Sequence, residues 1–181
     1  MKTLARSFVV ITTLAAMQAQ AQTDTAPPND ALPTALRANA SLQWVATHYA
    51  RGSQIYRCEA GATSQHRWVF QAPEADLFSD AAMTQLVGRH YDGPTWESLD
   101  GSRVAGKVRA NAPAPDSSAI PWLLLDATAK TVPGVLAQVV VIQRLATVGG
   151  ALDDPSCTQA QLGAQRRMPY TAAYRYYAPT K

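Results

Sequence analysis

Arg103-Val104-Ala105-Gly106-Lys107-Val108-Arg109-Ala110 is the stretch that decides the fold. Val104, Gly106, Val108 and Ala110 share one parity, while Arg103, Lys107 and Arg109 take the other. Successive side chains of a strand leave opposite faces, so this alternation predicts a strand with one buried and one solvated face. Asp100-Gly101-Ser102 just before it is a turn signal, which predicts a hairpin to the segment around Thr95-Trp96-Glu97.

The neighbouring segments read the same way. Gln54-Ile55-Tyr56-Arg57-Cys58 and His66-Arg67-Trp68-Val69-Phe70 are rich in strand formers, with Ala72-Pro73 expected to end the second. Ile120-Pro121-Trp122-Leu123-Leu124-Leu125 and Val135-Leu136-Ala137-Gln138-Val139-Val140-Val141-Ile142 are apolar at both parities and predict strands covered on both sides. Pro121 belongs at a strand start, since it has no N–H for a ladder. The β-branched run Val139 to Ile142 argues against a helix there. Gly149-Gly150 turns the chain into a terminal strand, Tyr170-Thr171-Ala172-Ala173-Tyr174-Arg175-Tyr176-Tyr177. Tyr170, Tyr174 and Tyr176 share a face, and such rings are expected to pack over a sheet with the hydroxyl in water. Only Phe78 to Leu86 reads as weakly helical, with one turn at Asp80–Met83. About seven or more strands without periodic helices between them predict an all-β domain, an antiparallel barrel or sandwich.

The N-terminus reads as an export signal. Lys2 and Arg6 precede the apolar run Phe8 to Met17, and Ala19-Gln20-Ala21 is a small-x-small cleavage site. The run is short for a membrane span, which takes about 20 residues. Cleavage after Ala21 would leave residues 22–40 as a leader, loosely held in its first part, and 41–181 as one domain, secreted or periplasmic. The signal carries two of the 16 basic residues; without it 14 stand against 13 acidic ones, a net charge of +1. No basic cluster remains to favour nucleic acid, and no later segment is long and apolar enough for a membrane span. In an oxidising compartment the sparse pair Cys58 and Cys157 is expected to form a disulfide.

Several ordered words carry a family resemblance: Gly52-Ser53-Gln54-Ile55-Tyr56-Arg57-Cys58; Trp68-Val69-Phe70 with Pro73-Glu74-Ala75; His90-Tyr91-Asp92-Gly93-Pro94-Thr95-Trp96-Glu97; Asp100-Gly101-Ser102-Arg103-Val104; Ile120 to Leu125; Ile142 to Gly150; and Cys157 with Pro169-Tyr170-Thr171-Ala172. Over roughly residues 40 to 178 the chain resembles the uncharacterised secreted family catalogued as domain of unknown function 3455. The resemblance implies an exported protein of bacterial or fungal type and supplies no reaction, cofactor or catalytic residue.

The densest polar and aromatic cluster is His90, Tyr91, Asp92, Trp96 and Glu97, with Asp100 close behind and Trp122 further on. Loops on a rigid β scaffold commonly carry binding groups. Trp96, Tyr91 and Trp122 would give flat faces to a sugar ring, and Asp92, Glu97 and Asp100 would accept from its hydroxyls. The same residues equally suit a core anchor and turn-forming carboxylates. Glu97 with Asp92 or Asp100 is also a candidate acid–base pair for a hydrolase. His90, Glu97, His66 and His48 match no recognised metal spacing, and no nucleotide or serine-nucleophile motif occurs, so neither metal nor cofactor is expected. Arg144, at the end of an apolar run, is expected to pair with Glu97 or Glu74. The leading expectation is a non-catalytic exported module binding a glycan or other envelope component. A carboxylate-dependent hydrolase and a structural or protein-partner module are the alternatives.

Overall fold

The structure is a computed structural model that describes residues 26–61, 65–129 and 133–180; the expected signal peptide lies outside them. Nine strands form one antiparallel sheet: β1 (Leu42–Ala60), β2 (His66–Phe78), β3 (Leu86–Tyr91), β4 (Thr95–Ser98), β5 (Arg103–Ala112), β6 (Trp122–Ala129), β7 (Val141–Gly149), β8 (Ser156–Cys157) and β9 (Gln165–Pro179). Each of β1 to β6 pairs with the next, β7 pairs with β9, and β9 returns to β1. The pairing therefore closes an eight-stranded up-and-down barrel, with β8 added outside the ring on β2. Closure removes the exposed sheet edges of an open meander. It rests on β1, which is long enough to pair with β2 on one side and β9 on the other.

The alternation in β5 holds for Val104, Gly106 and Val108, all of which face the interior, and fails at Ala110. A bulge at Arg109 pairs Val108 with Leu125 but Ala110 with Leu124. The inserted residue flips parity, so Ala110 packs on the outer face. The expected hairpin is present: Gly101 takes φ +87° and its N–H donates to the Ser98 carbonyl in the β4–β5 turn. The Asp80–Met83 segment is one hydrogen-bonded turn between β2 and β3. Pro73 does not end its strand. Gln71 bulges out and β2 runs on to Phe78. Proline is tolerated because β2 has β1 alone as a neighbour between its short pairings with β8 and β3.

Two apolar clusters divide along the barrel wall. Inside lie Leu77, Trp96, Val104, Leu125, Ile142, Tyr170, Tyr174 and Tyr176. The three tyrosines do share a face, but it is the interior one: Tyr174 and Tyr176 are 0% exposed, so their hydroxyls do not reach water. The interior is capped at one end by the connection to β7. Val135–Val140 is not a strand; β7 begins only at Val141. Leu136 and Val139 enter the core, and the preceding turn is pinned by Val135 N–H to Asp100 Oδ2 (2.8 Å) and Leu136 N–H to Ser102 Oγ (3.1 Å).

The outer cluster explains why β6 and β7 are apolar at both parities. Residues 26–38, expected as a leader, lie against the outer faces of β6, β7 and β9 and bury Leu32 and Leu36 with Leu124, Val141, Leu145 and Tyr177. A buried polar network fixes the segment: Gln143 Nε2 donates to Asn29 Oδ1 and to the Leu36 carbonyl, both at 2.8 Å, and Tyr177 OH donates to Gln143 Oε1. Arg175 donates to the Ala26 and Pro27 carbonyls. Leu36→Ala is accordingly expected to cost about 3 kcal/mol, the usual scale for a leucine truncated in a packed core, read as a lower urea midpoint. A change within about 0.5 kcal/mol, typical of an exposed site, would show that this segment is not part of the core.

Beyond the barrel rim, β9, β1, β2 and β8 continue as an extension. Cys58 of β1 and Cys157 of β8 are disulfide-bonded at its tip, with Cα atoms 6.1 Å apart and a sequence separation of 99. No helix among the described residues is long and apolar enough to cross a membrane.

Candidate functional site

At the end opposite the Leu136–Val139 cap the barrel is open. A cavity of about 280 Å³ lies in this mouth. Its floor is aromatic: the His90 ring stacks on Trp96 at 4.2 Å between centroids, and Tyr174 meets both edge-on. Gly106 is required opposite Trp96, because a Cβ there would stand 2.8 Å from Cζ3 of the indole. The walls are Val108, Leu123, Leu125 and Ile120, and Pro94, Pro121, Tyr56 and Phe70 form the rim. Phe70 and Val108 are about half exposed there, as a residue bordering an opening must be.

The polar groups in this setting are few. His90 Nδ1 lies 2.9 Å from the Thr95 carbonyl, which can only accept, so the proton sits on Nδ1. Burial, reinforced by the nearby Arg144 charge, lowers the His90 pKa to about 3, although the Thr95 hydrogen bond opposes the shift. The ring is therefore neutral at pH 7. Tyr170 and Tyr174 hydroxyls are 3.4 Å apart, and burial raises the pKa of each. Arg144 reaches in from β7, where its Nε and Nη2 donate to the Pro121 carbonyl at 3.1 and 2.8 Å. Two residues on, Ala146 adopts φ +47° at a bulge that pairs Leu145 with Ala173 but Val148 with Thr171. A left-handed non-glycine residue costs on the order of 1–2 kcal/mol.

The seven residues singled out from the sequence do not converge. His90 and Trp96 line the cavity. Tyr91 and Glu97, one residue further along β3 and β4, point to the other side of the wall, where Tyr91 OH donates to Glu97 Oε2 at 2.7 Å. That hydrogen bond to the carboxylate is the main reason the Tyr91 pKa is raised. They border a shallow outer groove with Arg51, Glu74, Arg89 and Arg167. Asp92 is exposed in the β3–β4 turn, and Asp100 lies at the capped end. Asp100 Oδ1 accepts from Ser102 N–H and Oγ–H while Oδ2 accepts from Val135; the Ser102 hydroxyl leads in lowering its pKa to about 2. It acts as a turn lock. Trp122 packs on the outer face of β6 against the N-terminal segment. Among the described residues no three His, Cys, Asp or Glu side chains are grouped to hold a metal ion.

Arg144 pairs with neither Glu97 nor Glu74. Glu74 pairs with Arg167, and Glu97 accepts from Tyr91. Gln54, Arg144 and Tyr174 were not singled out as binding residues. The signal for Arg144 was its parity, since it lies two residues after the inward-facing Ile142.

No curated protein and no solved structure matches the chain. A family model matches residues 37–178, nearly the whole described structure. The chain thus belongs to the family described as protein of unknown function, DUF3455.

Proposed function

We propose that this protein is an exported, non-catalytic binding protein that takes a small, mainly apolar molecule of the cell envelope or its surroundings into the open end of the barrel. The observation that carries this reading is the cavity: an eight-stranded barrel has room for its own side chains or for one small ligand, and here the capped end is filled while the other end stays open. Export is supported by the three-part N-terminal signal and by a disulfide suited to an oxidising compartment.

The lining favours an apolar molecule over a glycan. Sugar hydroxyls set against Val108, Leu123 and Leu125 would lose water without gaining partners, at a cost of roughly 1–3 kcal/mol each. The volume is just below the usual range of about 300–1,000 Å³ for ligand pockets, which selects for small size. A hydrolase is less well supported, because Asp100 is committed to the turn and Asp92 lies in solvent.

Titration with N-phenyl-1-naphthylamine, a neutral probe that fluoresces in apolar surroundings, tests the reading. Saturable fluorescence enhancement is expected for the wild type. Val108→Trp, which fills the mouth at a half-exposed position, is expected to weaken it at least tenfold. Absence of saturable binding, or equal binding by the variant, would count against this site.

A further inference from the structure

We infer that the ligand of the barrel mouth is a small carboxylic acid with an apolar body, bound as its anion through Arg144. This deepens the function proposed above and rests on it.

The inference comes from the imbalance of donors and acceptors around the cavity. None of its lining residues is an aspartate or glutamate. The Arg144 guanidinium donates to the Pro121 carbonyl and also hydrogen-bonds the Tyr174 hydroxyl, and with five N–H donors it has more than these two partners use. The described ion pairs are Arg109–Asp126 and Arg167–Glu74, so Arg144 brings a positive charge to the mouth with no carboxylate at ion-pair distance among the described residues. Two further lining residues carry orphaned donors. Gln54 is 2% exposed and Trp96 is 1% exposed, yet Gln54 Nε2 and Trp96 Nε1 have no acceptor. An indole N–H can only donate.

A buried donor without a partner costs about 1–3 kcal/mol. Two of them beside an unpaired cation in an apolar enclosure are matched by a ligand that accepts hydrogen bonds and carries negative charge. A carboxylate fits the planar fork of the guanidinium with two parallel N–H···O bonds, and charge-assisted bonds of this kind are about twice as strong as neutral ones. The apolar walls take the rest of the molecule. A doubly charged or highly hydroxylated ligand would leave charge or hydroxyls against Leu123 and Leu125 and is disfavoured by the same balance.

The experiment compares 2-naphthoate with its methyl ester, which has the same ring system without the charge. Binding is read by isothermal calorimetry and by displacement of N-phenyl-1-naphthylamine, at pH 7.5. The acid is expected to bind the full-length protein at least tenfold more tightly than the ester. Arg144→Met is expected to bring the two within about threefold of each other, and Arg144→Lys to keep part of the preference. Thermal melts of each variant establish that it folds, since Arg144 also holds Pro121. Equal binding of acid and ester by the wild type, with the neutral probe still bound, would overturn the carboxylate assignment and leave the apolar site standing. A preference that persists in folded Arg144→Met would also overturn it. If neither naphthyl compound nor the probe binds, both readings fall together.

Discussion

Lowering the pH from 7 to 4 is expected to shift the urea midpoint of this protein downwards by an amount equivalent to several kcal/mol. Two histidines inside the barrel are responsible. Burial lowers the His90 pKa to about 3 and the His48 pKa to about 4; Asp100 partly offsets the shift at His48. Both rings are neutral in the folded state at pH 7, and an unfolded chain takes up a proton on each near pH 6.5. The unfolded state therefore binds more protons throughout the interval below 6.5, and stability rises with pH across it. The contribution is complete above pH 6.5 and declines until the pH reaches the folded values. At about 1.4 kcal/mol per unit, His90 alone accounts for roughly 5 kcal/mol at the acid limit. That is comparable with the whole stability of many domains, about 5–15 kcal/mol. His90→Phe keeps a ring against Trp96 and has nothing to protonate. Although less stable at pH 7 through loss of the Thr95 hydrogen bond, it is expected to show a flatter profile between pH 7 and 4. A wild-type midpoint that does not move over this range would contradict the burial of both rings.

Removing the disulfide is expected to have the other large effect. The Cys58–Cys157 bridge closes a loop with a sequence separation of 99. In the chain-entropy account such a loop contributes up to about 4–5 kcal/mol by restricting the unfolded state. The folded state also depends on it locally. β8 has two residues and pairs only with His66 and Arg67 of β2, a ladder too short to hold the segment between β7 and β9 by itself. The Cys58→Ala, Cys157→Ala double variant should lose up to that amount in urea unfolding. It should also bind the naphthyl probe more weakly, because Tyr56, Phe70 and Gln54 border the mouth from the extension that the bridge ties together. Unchanged stability and binding would show that neither the bridge nor the extension matters to the site.

Much of the architecture was legible because strand parity reports burial directly. Val104, Gly106 and Val108 identified the inner face of β5; parity also grouped Tyr170, Tyr174 and Tyr176 on one face of β9, but that face is the buried interior and not one with hydroxyls in water. Closure into a barrel was not legible, because it depends on β1 pairing with two strands from opposite ends of the chain. Bulges are equally invisible to parity: those at Arg109 and Gln71 reversed the reading of Ala110 and of Pro73. The run Val135–Val140 shows the other limit. Only part of the expected burial holds: Val135 and Val140 are exposed, whereas Leu136 and Val139 are buried, by plugging the barrel end rather than by lying in a strand.

The residues lining the candidate site were half legible for a related reason. The cluster from His90 to Glu97 is compact in sequence, yet it spans a tight hairpin whose pleat sends neighbours to opposite faces. His90 and Trp96 enter the barrel while Tyr91 and Glu97 stay outside. Arg144 and Gln54 lie far from that cluster in sequence and join it only through the closed ring.

The most direct measurement is the set of four tryptophan indole N–H resonances during titration with 2-naphthoate. Trp96 belongs to the cavity, whereas Trp122 packs on the outer face beneath the N-terminal segment and Trp44 is 60% exposed on β1. The Trp96 Nε1–H signal is expected to move with saturation, alongside the backbone amides of Val108 and Arg144, while those of Trp44 and Trp122 stay in place. Movement confined to Trp44 or Trp122, with Trp96 unchanged at saturating ligand, would contradict a binding site in the mouth of the barrel.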